Sequence, residues 1–178
     1  MRLFTALRIP GEPLISILRE IEQIPGIKPV DKESLHVTLL FLGEVPESVV
    51  PLLKEGLSSM KFKSVEVELK GLGVFPSPFS ARVVWVGLAG NLDPVRELRL
   101  KQEGLLRELR VHYDKKEFSP HVTLGRVKSR PPKELIELID IYGSTSFGKV
   151  KLESFHLMRS ILTPKGPIYD SLIEVRGA

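Results

Sequence analysis

The period of the apolar positions changes repeatedly along this chain, and each change marks an element. Arg2–Ile9 reads as a strand. Leu14, Ile17, Leu18, Ile21 and Ile24 then recur at helical spacing. Pro46 opens a second helical stretch carrying Val49, Val50, Leu53 and Leu57. Val65–Lys70 alternates as a half-buried strand does. The series then starts again. Arg82–Leu88 reads as a strand, followed by a helix with Asp93 as N-cap, Pro94 at its first position, and Val95, Leu98, Leu105 and Leu109 on its apolar face. Pro131-Pro132 opens a helix with Leu135, Leu138, Ile139 and Tyr142, and Val150–Glu153 alternates again. In both copies the alternation then changes parity. Leu72 and Val74 fall out of phase with Leu69, and Phe155 and Leu157 with Leu152, so each copy is expected to hold a bulge or bend. Turn-rich segments follow, Pro76-Ser77-Pro78 and Thr163–Pro167, and a strand leaves each, the second being Ile168–Val175.

The repetition has a fixed offset. His-Val-Thr-Leu occurs at His36–Leu39 and again at His121–Leu124, 85 residues later. Pro46 and Pro131 are separated by the same 85 residues. A duplicated β-α-β-α-β unit explains both. Two copies are too few for a solenoid. The expected product is one α+β domain over residues 1–178, with two pseudo-symmetric lobes. Each lobe is an antiparallel sheet with helices on its outer face, and an active-site cleft lies between the lobes.

Composition narrows the chemistry. Hydrophobic residues make up 42% of the 178, enough for a packed core. There is no cysteine, which removes disulfides, thiolate catalysis and the usual zinc-ribbon sites. Met1–Pro10 is interrupted too soon for a signal peptide, and the apolar runs are only of strand length. A soluble cytoplasmic protein is expected. The net charge of +4 is compatible with an anionic partner but equally with an ordinary surface.

Side chains two apart on a strand point the same way. His36 and Thr38 therefore share one face and Val37 and Leu39 the other; His121 and Thr123 divide from Val122 and Leu124 likewise. Two imidazoles and two hydroxyls facing one cleft suit in-line displacement at phosphorus. One imidazole takes a proton from attacking water and the other gives one to the leaving oxygen. The threonine hydroxyls donate to the non-bridging oxygens. Neither motif carries a carboxylate in register, and two histidines alone make a poor zinc site, so no metal and no other cofactor is expected. His112 and His156 have no twin and read as ordinary hydrogen-bonded histidines.

With these motifs at this spacing, the chain resembles the two-histidine phosphoesterase superfamily. Leu35–Gly43 and Phe118–Arg126 resemble the RNA 2′,3′-cyclic phosphodiesterases, long named 2′-5′ RNA ligases. Arg2–Ala6, Arg82–Gly87 and Ser160–Tyr169 fit the same pattern. The resemblance implies metal-independent hydrolysis of a terminal RNA 2′,3′-cyclic phosphate to a 2′-phosphomonoester, with His36 as proton donor and His121 as proton acceptor. As an alternative it implies reversible 2′-5′ joining of tRNA halves. The rival of another class is a non-catalytic RNA- or nucleotide-binding module, for which a second acid–base group would be superfluous. A monomer is expected.

Further contacts are suggested by position. Arg126, Lys128 and Arg130 follow the second motif and could meet the phosphate or the RNA backbone. Strict alternation turns Arg126 away from His121, so only a twist or bulge at Gly125 brings it into the cleft. Phe41 stands where Arg126 stands in the other copy, which makes the copies chemically unequal. Phe75, Phe79, Lys165 and Tyr169 sit in the turn-rich segments, where aromatic rings either stack on bases or pack.

Overall fold

The computed structural model describes residues 1–178. Nine strands and four α-helices follow in the order β1 (Arg2–Arg8), α1 (Ile15–Glu22), β2 (Ile27–Pro29), β3 (His36–Glu44), α2 (Val50–Ser58), β4 (Val65–Phe75), β5 (Val83–Ala89), α3 (Asp93–Glu108), β6 (His121–Val127), α4 (Lys133–Tyr142), β7 (Ser146–Leu152), β8 (Ser154–Thr163) and β9 (Gly166–Arg176). No helix is long and apolar enough to cross a membrane.

The two expected antiparallel sheets are the halves of one curled sheet, ordered β7-β4-β5-β6-β3-β1-β8-β9, with β2 added against β6. The halves join where Val37 of β3 pairs with Val122 of β6. The sequence copies are not the lobes, however. β4, from the first copy, pairs with β5 of the second, and β8, from the second copy, pairs with β1 of the first. Each lobe is thus completed by a strand from the other copy. This exchange ties the two sequence copies together, since separating them would break both ladders.

The two parity changes resolve differently. In β4 the pairing with β5 slips between Lys70 and Leu72, and Gly71 takes φ +84°, which only glycine adopts without strain. In the second copy the chain leaves β7 at Leu152 and enters β8 at Ser154. There the parity change is the crossing from one lobe to the other.

Two helix starts differ from the sequence reading. α2 begins at Val50, not at Pro46, and Pro46–Val49 forms a turn first. Pro51 explains this. It has no N–H to donate and is tolerated only in the first turn, so the helix cannot begin earlier. α3 includes Asp93 in its first turn, with Leu92 as N-cap. The cap-like hydrogen bond comes from Asn91, whose Oδ1 accepts from the Asp93 N–H at 3.1 Å.

The core side of the sheet holds the apolar half of both motifs. Val37, Leu39, Val122 and Leu124 are buried in one cluster with Leu53, Leu98 and Leu135 from the helices. The buried stripe of α3 is Val95, Leu98, Gln102 and Leu106; Leu105 and Leu109, expected on it, are only partly buried. Gln102 is fully buried because its Oε1 accepts a 2.7 Å hydrogen bond from Thr5 Oγ1 on β1.

Candidate active site

The register at the lobe junction sets the geometry of the repeated motif. With Val37 opposite Val122 in an antiparallel pair, one step either way sets His36 opposite Thr123 and Thr38 opposite His121. The four polar side chains therefore form a square on one face, with the histidines on one diagonal. Opposed Cβ atoms lie roughly 4.5–5.5 Å apart and diagonal ones roughly 7–8 Å. The His121 charge is among those that act on His36, so the two rings are near neighbours.

Each ring is held in the same way. His36 Nδ1 lies 2.7 Å from the Ser34 carbonyl, and His121 Nδ1 lies 2.8 Å from that of Ser119. A carbonyl oxygen only accepts, so Nδ1 carries the proton in both rings. That leaves both Nε2 atoms for proton transfer. The carbonyl comes from two residues upstream in each copy, so the two rings are oriented alike.

A second shared device reshapes the strands. In β3 the pairing with β1 steps from Thr38 to Leu40, leaving Leu39 as a bulge. In β6 the pairing with β5 steps from Thr123 to Gly125, leaving Leu124. The bulges are 85 residues apart, like the histidines. Each reverses parity and brings the next exposed side chain onto the histidine face. Those side chains are Phe41 in β3 and Arg126 in β6. The positive charge of Arg126 reaches His36. The bulged carbonyls are satisfied differently: Leu39 accepts from Arg99 Nε at 3.0 Å, and Leu124 accepts from the Val30 N–H at 2.8 Å. Arg99 also binds Glu103 at 2.7 Å and lies over Phe118, just before His121. One guanidinium thereby braces the first motif and the approach to the second.

The surroundings of the two histidines differ. Phe4 and Tyr169 pack on His36, with ring centroids at 5.3 and 5.7 Å. Phe75 packs edge-on to His121 at 5.1 Å, and Trp85 lies at 6.4 Å. Trp85 pairs with Thr123 and Gly73; the matching positions in the other lobe are Ala6, which pairs with Thr38, and His156, which pairs with Ala6. A Cβ at residue 73 would come within 2.3 Å of the Trp85 ring, so glycine is required for the indole to lie flat there. In the first lobe the small Ala6 leaves space instead. A cavity of about 200 Å³ opens beside His36, lined among others by Ala6, Arg8, His156, Met158 and Tyr169.

His156, read from the sequence as an ordinary histidine, is buried and hydrogen-bonded, as that reading requires. Its Nδ1 lies 2.7 Å from Ser171 Oγ. It also lines the cavity beside His36, which its lack of a twin does not suggest. Tyr169 and Phe75 touch the histidines. Phe79 is exposed in its turn and contacts neither ring, and Lys128 and Arg130 lie beyond the end of β6. The Lys165 carbonyl accepts from Lys28 Nζ, which links the β8–β9 turn to β2.

Both His36 and His156 are held below the ordinary imidazole range. For His36 the main cause is burial. The Ser34 carbonyl opposes it, while the charges of Arg126 and His121 add to it. For His156 burial again dominates; Glu174 opposes it, and Arg8 and Arg176 add to it. Between the lowered values and about pH 6.5 the unfolded chain therefore binds more protons than the folded one. Their contribution to stability is complete above that range and is lost as pH falls through it. Urea midpoints should decrease from pH 7.5 to pH 5.5, and decrease less in His156→Gln. A midpoint that holds or rises on acidification would contradict this.

A family model described as LigT like Phosphoesterase matches residues 7–85 and 90–169, one segment on each copy of the repeat. The chain belongs to the LigT-like phosphoesterases. Among its relatives is an RNA 2′,3′-cyclic phosphodiesterase of Archaeoglobus fulgidus, 41% identical over 97% of this chain and 98% of the relative. Another of that name, from Methanocaldococcus jannaschii, is 37% identical over 98% of this chain and 99% of its own. Among solved structures, TT0787 of Thermus thermophilus superposes with a TM-score of 0.84 at 31% identity, covering 99% of this chain and 97% of that one. Escherichia coli LigT complexed with 3′-AMP shares the fold, with a TM-score of 0.79 at 23% identity over 98% and 97% of the two chains.

Proposed function

We propose that this LigT-like phosphoesterase hydrolyses the terminal 2′,3′-cyclic phosphate of RNA to a 2′-phosphomonoester, using His36 and His121 and no metal. The observation that carries the reading is the polar square at the lobe junction, with both Nδ1 atoms tied to carbonyls and both Nε2 atoms free. The names of the relatives point to the same substrate. One bilobal domain acting as a cytoplasmic monomer suffices, since each lobe supplies one histidine.

The unequal flanks suggest the direction of the reaction. In hydrolysis of the ring the leaving 3′ oxygen stays on the ribose, so the nucleoside must lie beside the proton donor. Room for it exists beside His36, where Ala6 leaves a cavity. Beside His121, Phe75 and Trp85 occupy the matching space, so the smaller attacking water is assigned to that side. His121 Nε2 then takes a proton from water as its oxygen bonds to phosphorus. His36 Nε2 gives a proton to the 3′ oxygen as the P–O3′ bond breaks. Thr38 and Thr123 donate to the non-bridging oxygens, and Arg126 offsets the charge gathering there.

The lowered pKa of His36 in the free protein fits this cycle. An incoming anion offsets the charge of Arg126, which is one of the causes of the lowering. Substrate binding thus favours the imidazolium form that the leaving oxygen needs. The crowded His121 side also disfavours an RNA 5′-hydroxyl as nucleophile, so hydrolysis should exceed joining of tRNA halves.

The test is an RNA oligonucleotide ending in a 2′,3′-cyclic phosphate, incubated with the protein in excess chelator. The product should carry its phosphate on the 2′ oxygen. A 3′-phosphate product, or loss of activity on chelation, would overturn the reading.

A further inference from the structure

Arg8 stands directly opposite His36 in the β1–β3 pairing, on the histidine face of the sheet. It makes no ion pair and no side-chain hydrogen bond. A guanidinium beside a half-buried imidazole gains nothing for the fold by this, and its charge lowers the pKa of His156. The matching position in the other lobe is Gly87, which pairs with His121. Only the His36 side of the site therefore carries this second arginine, in addition to Arg126.

Arg8 also occupies a junction. It lines the cavity beside His36, and it lines an outer groove of about 490 Å³ that continues from it. Within that groove Lys151 is paired with Glu153 at 3.8 Å and Arg176 with Glu174 at 3.5 Å. Glu12 and Glu33 are also there, without ion pairs. Lys32 also lines the groove without an ion pair, but Arg8 is the one Lys or Arg that lines both the groove and the cavity, and it is unspent.

We infer that Arg8 is a specificity-determining residue that binds the phosphodiester on the 5′ side of the terminal nucleotide, so that the site prefers RNA ends to free cyclic nucleotides. The inference rests on the cyclic phosphodiesterase reading above. With the terminal nucleoside in the cavity, its 5′ oxygen must leave toward the groove, and the first phosphate met there is the one joining the preceding nucleotide. An arginine binds such a group through paired N–H donors. Arg126 faces the phosphate that reacts; Arg8 faces the one that does not. Its binding energy therefore acts on substrate choice.

Two substrates isolate that phosphate: adenosine 2′,3′-cyclic phosphate, and the same molecule carrying a methyl phosphodiester on its 5′ oxygen. The wild-type protein should favour the second in kcat/KM by about tenfold or more, the size expected of a charge-assisted contact. Arg8→Gln should abolish the preference, and Arg8→Lys should restore part of it. The salt dependence of kcat/KM for the second substrate should weaken in Arg8→Gln, because one screened charge contact is lost. Because the ratio is taken within each variant, a partly folded sample does not mimic the effect. A wild-type protein active on both substrates without preference, or an Arg8→Gln variant that keeps the preference, would overturn the inference alone. A wild-type protein inactive on both would overturn the proposed function and the inference with it.

Discussion

Replacing His121 by alanine is expected to lower kcat/KM on a cyclic RNA end by about 10²–10⁴-fold, the usual contribution of one general base. The loss should fall mainly on kcat, because proton transfer from water is made only in the transition state. The acid limb of the pH–rate profile should disappear with it. That limb reports the protonation of the base, and without an imidazole at 121 no group remains to produce it. The fold should survive, since His121 is not among the buried residues and its ring packs against Phe75 and Trp85 at the edge of the cleft. Steady-state kinetics across pH 5–9, with circular dichroism as the folding control, would check this. A variant with wild-type turnover would remove His121 from the mechanism.

Replacing His36 by alanine should cost a similar factor and remove the basic limb instead, because there the required form is the imidazolium. Its effect should not add to that of His121→Ala. Once either proton transfer is lost, the concerted path is gone, and the double variant should be little worse than the single ones. Two additive losses would instead indicate independent roles, such as separate binding contacts. The His121 charge is the last of the causes that lower the His36 pKa, after burial and Arg126. Removing His36 also removes a partner of Phe4 and Tyr169, and the aromatic cluster should then loosen locally.

Much of this site is legible in the sequence because it is short-range. The motif's period-2 pattern separates His36 and Thr38 from Val37 and Leu39, and the burial of those apolar residues follows it. Bringing Arg126 onto the histidine face requires a bulge near Gly125, and the slip occurs at Leu124–Gly125. The 85-residue offset marks the repeated motif, and the strand and helix around each copy of it are present in the structure. What escapes depends on long-range pairing. No local pattern indicates that β3 and β6 meet at Val37 and Val122, or that β4 and β8 exchange between lobes. Three-residue β2 has too few positions to show a period. The burial of Gln102 has no local signal, because its partner, Thr5, lies 97 positions away. The cavity escapes for the same reason: Ala6 and Trp85 become counterparts only once both strands are set against their motifs.

The division of labour between the two histidines is open to one direct measurement. A cyclic substrate with sulfur in place of the 3′ oxygen has a leaving group that departs as a stable thiolate and needs no proton. With this substrate His36→Ala should regain most of the wild-type rate, while His121→Ala should remain slow because water still has to be deprotonated. Recovery of His121→Ala, or of neither variant, would contradict the placing of His36 at the leaving oxygen and His121 at the attacking water.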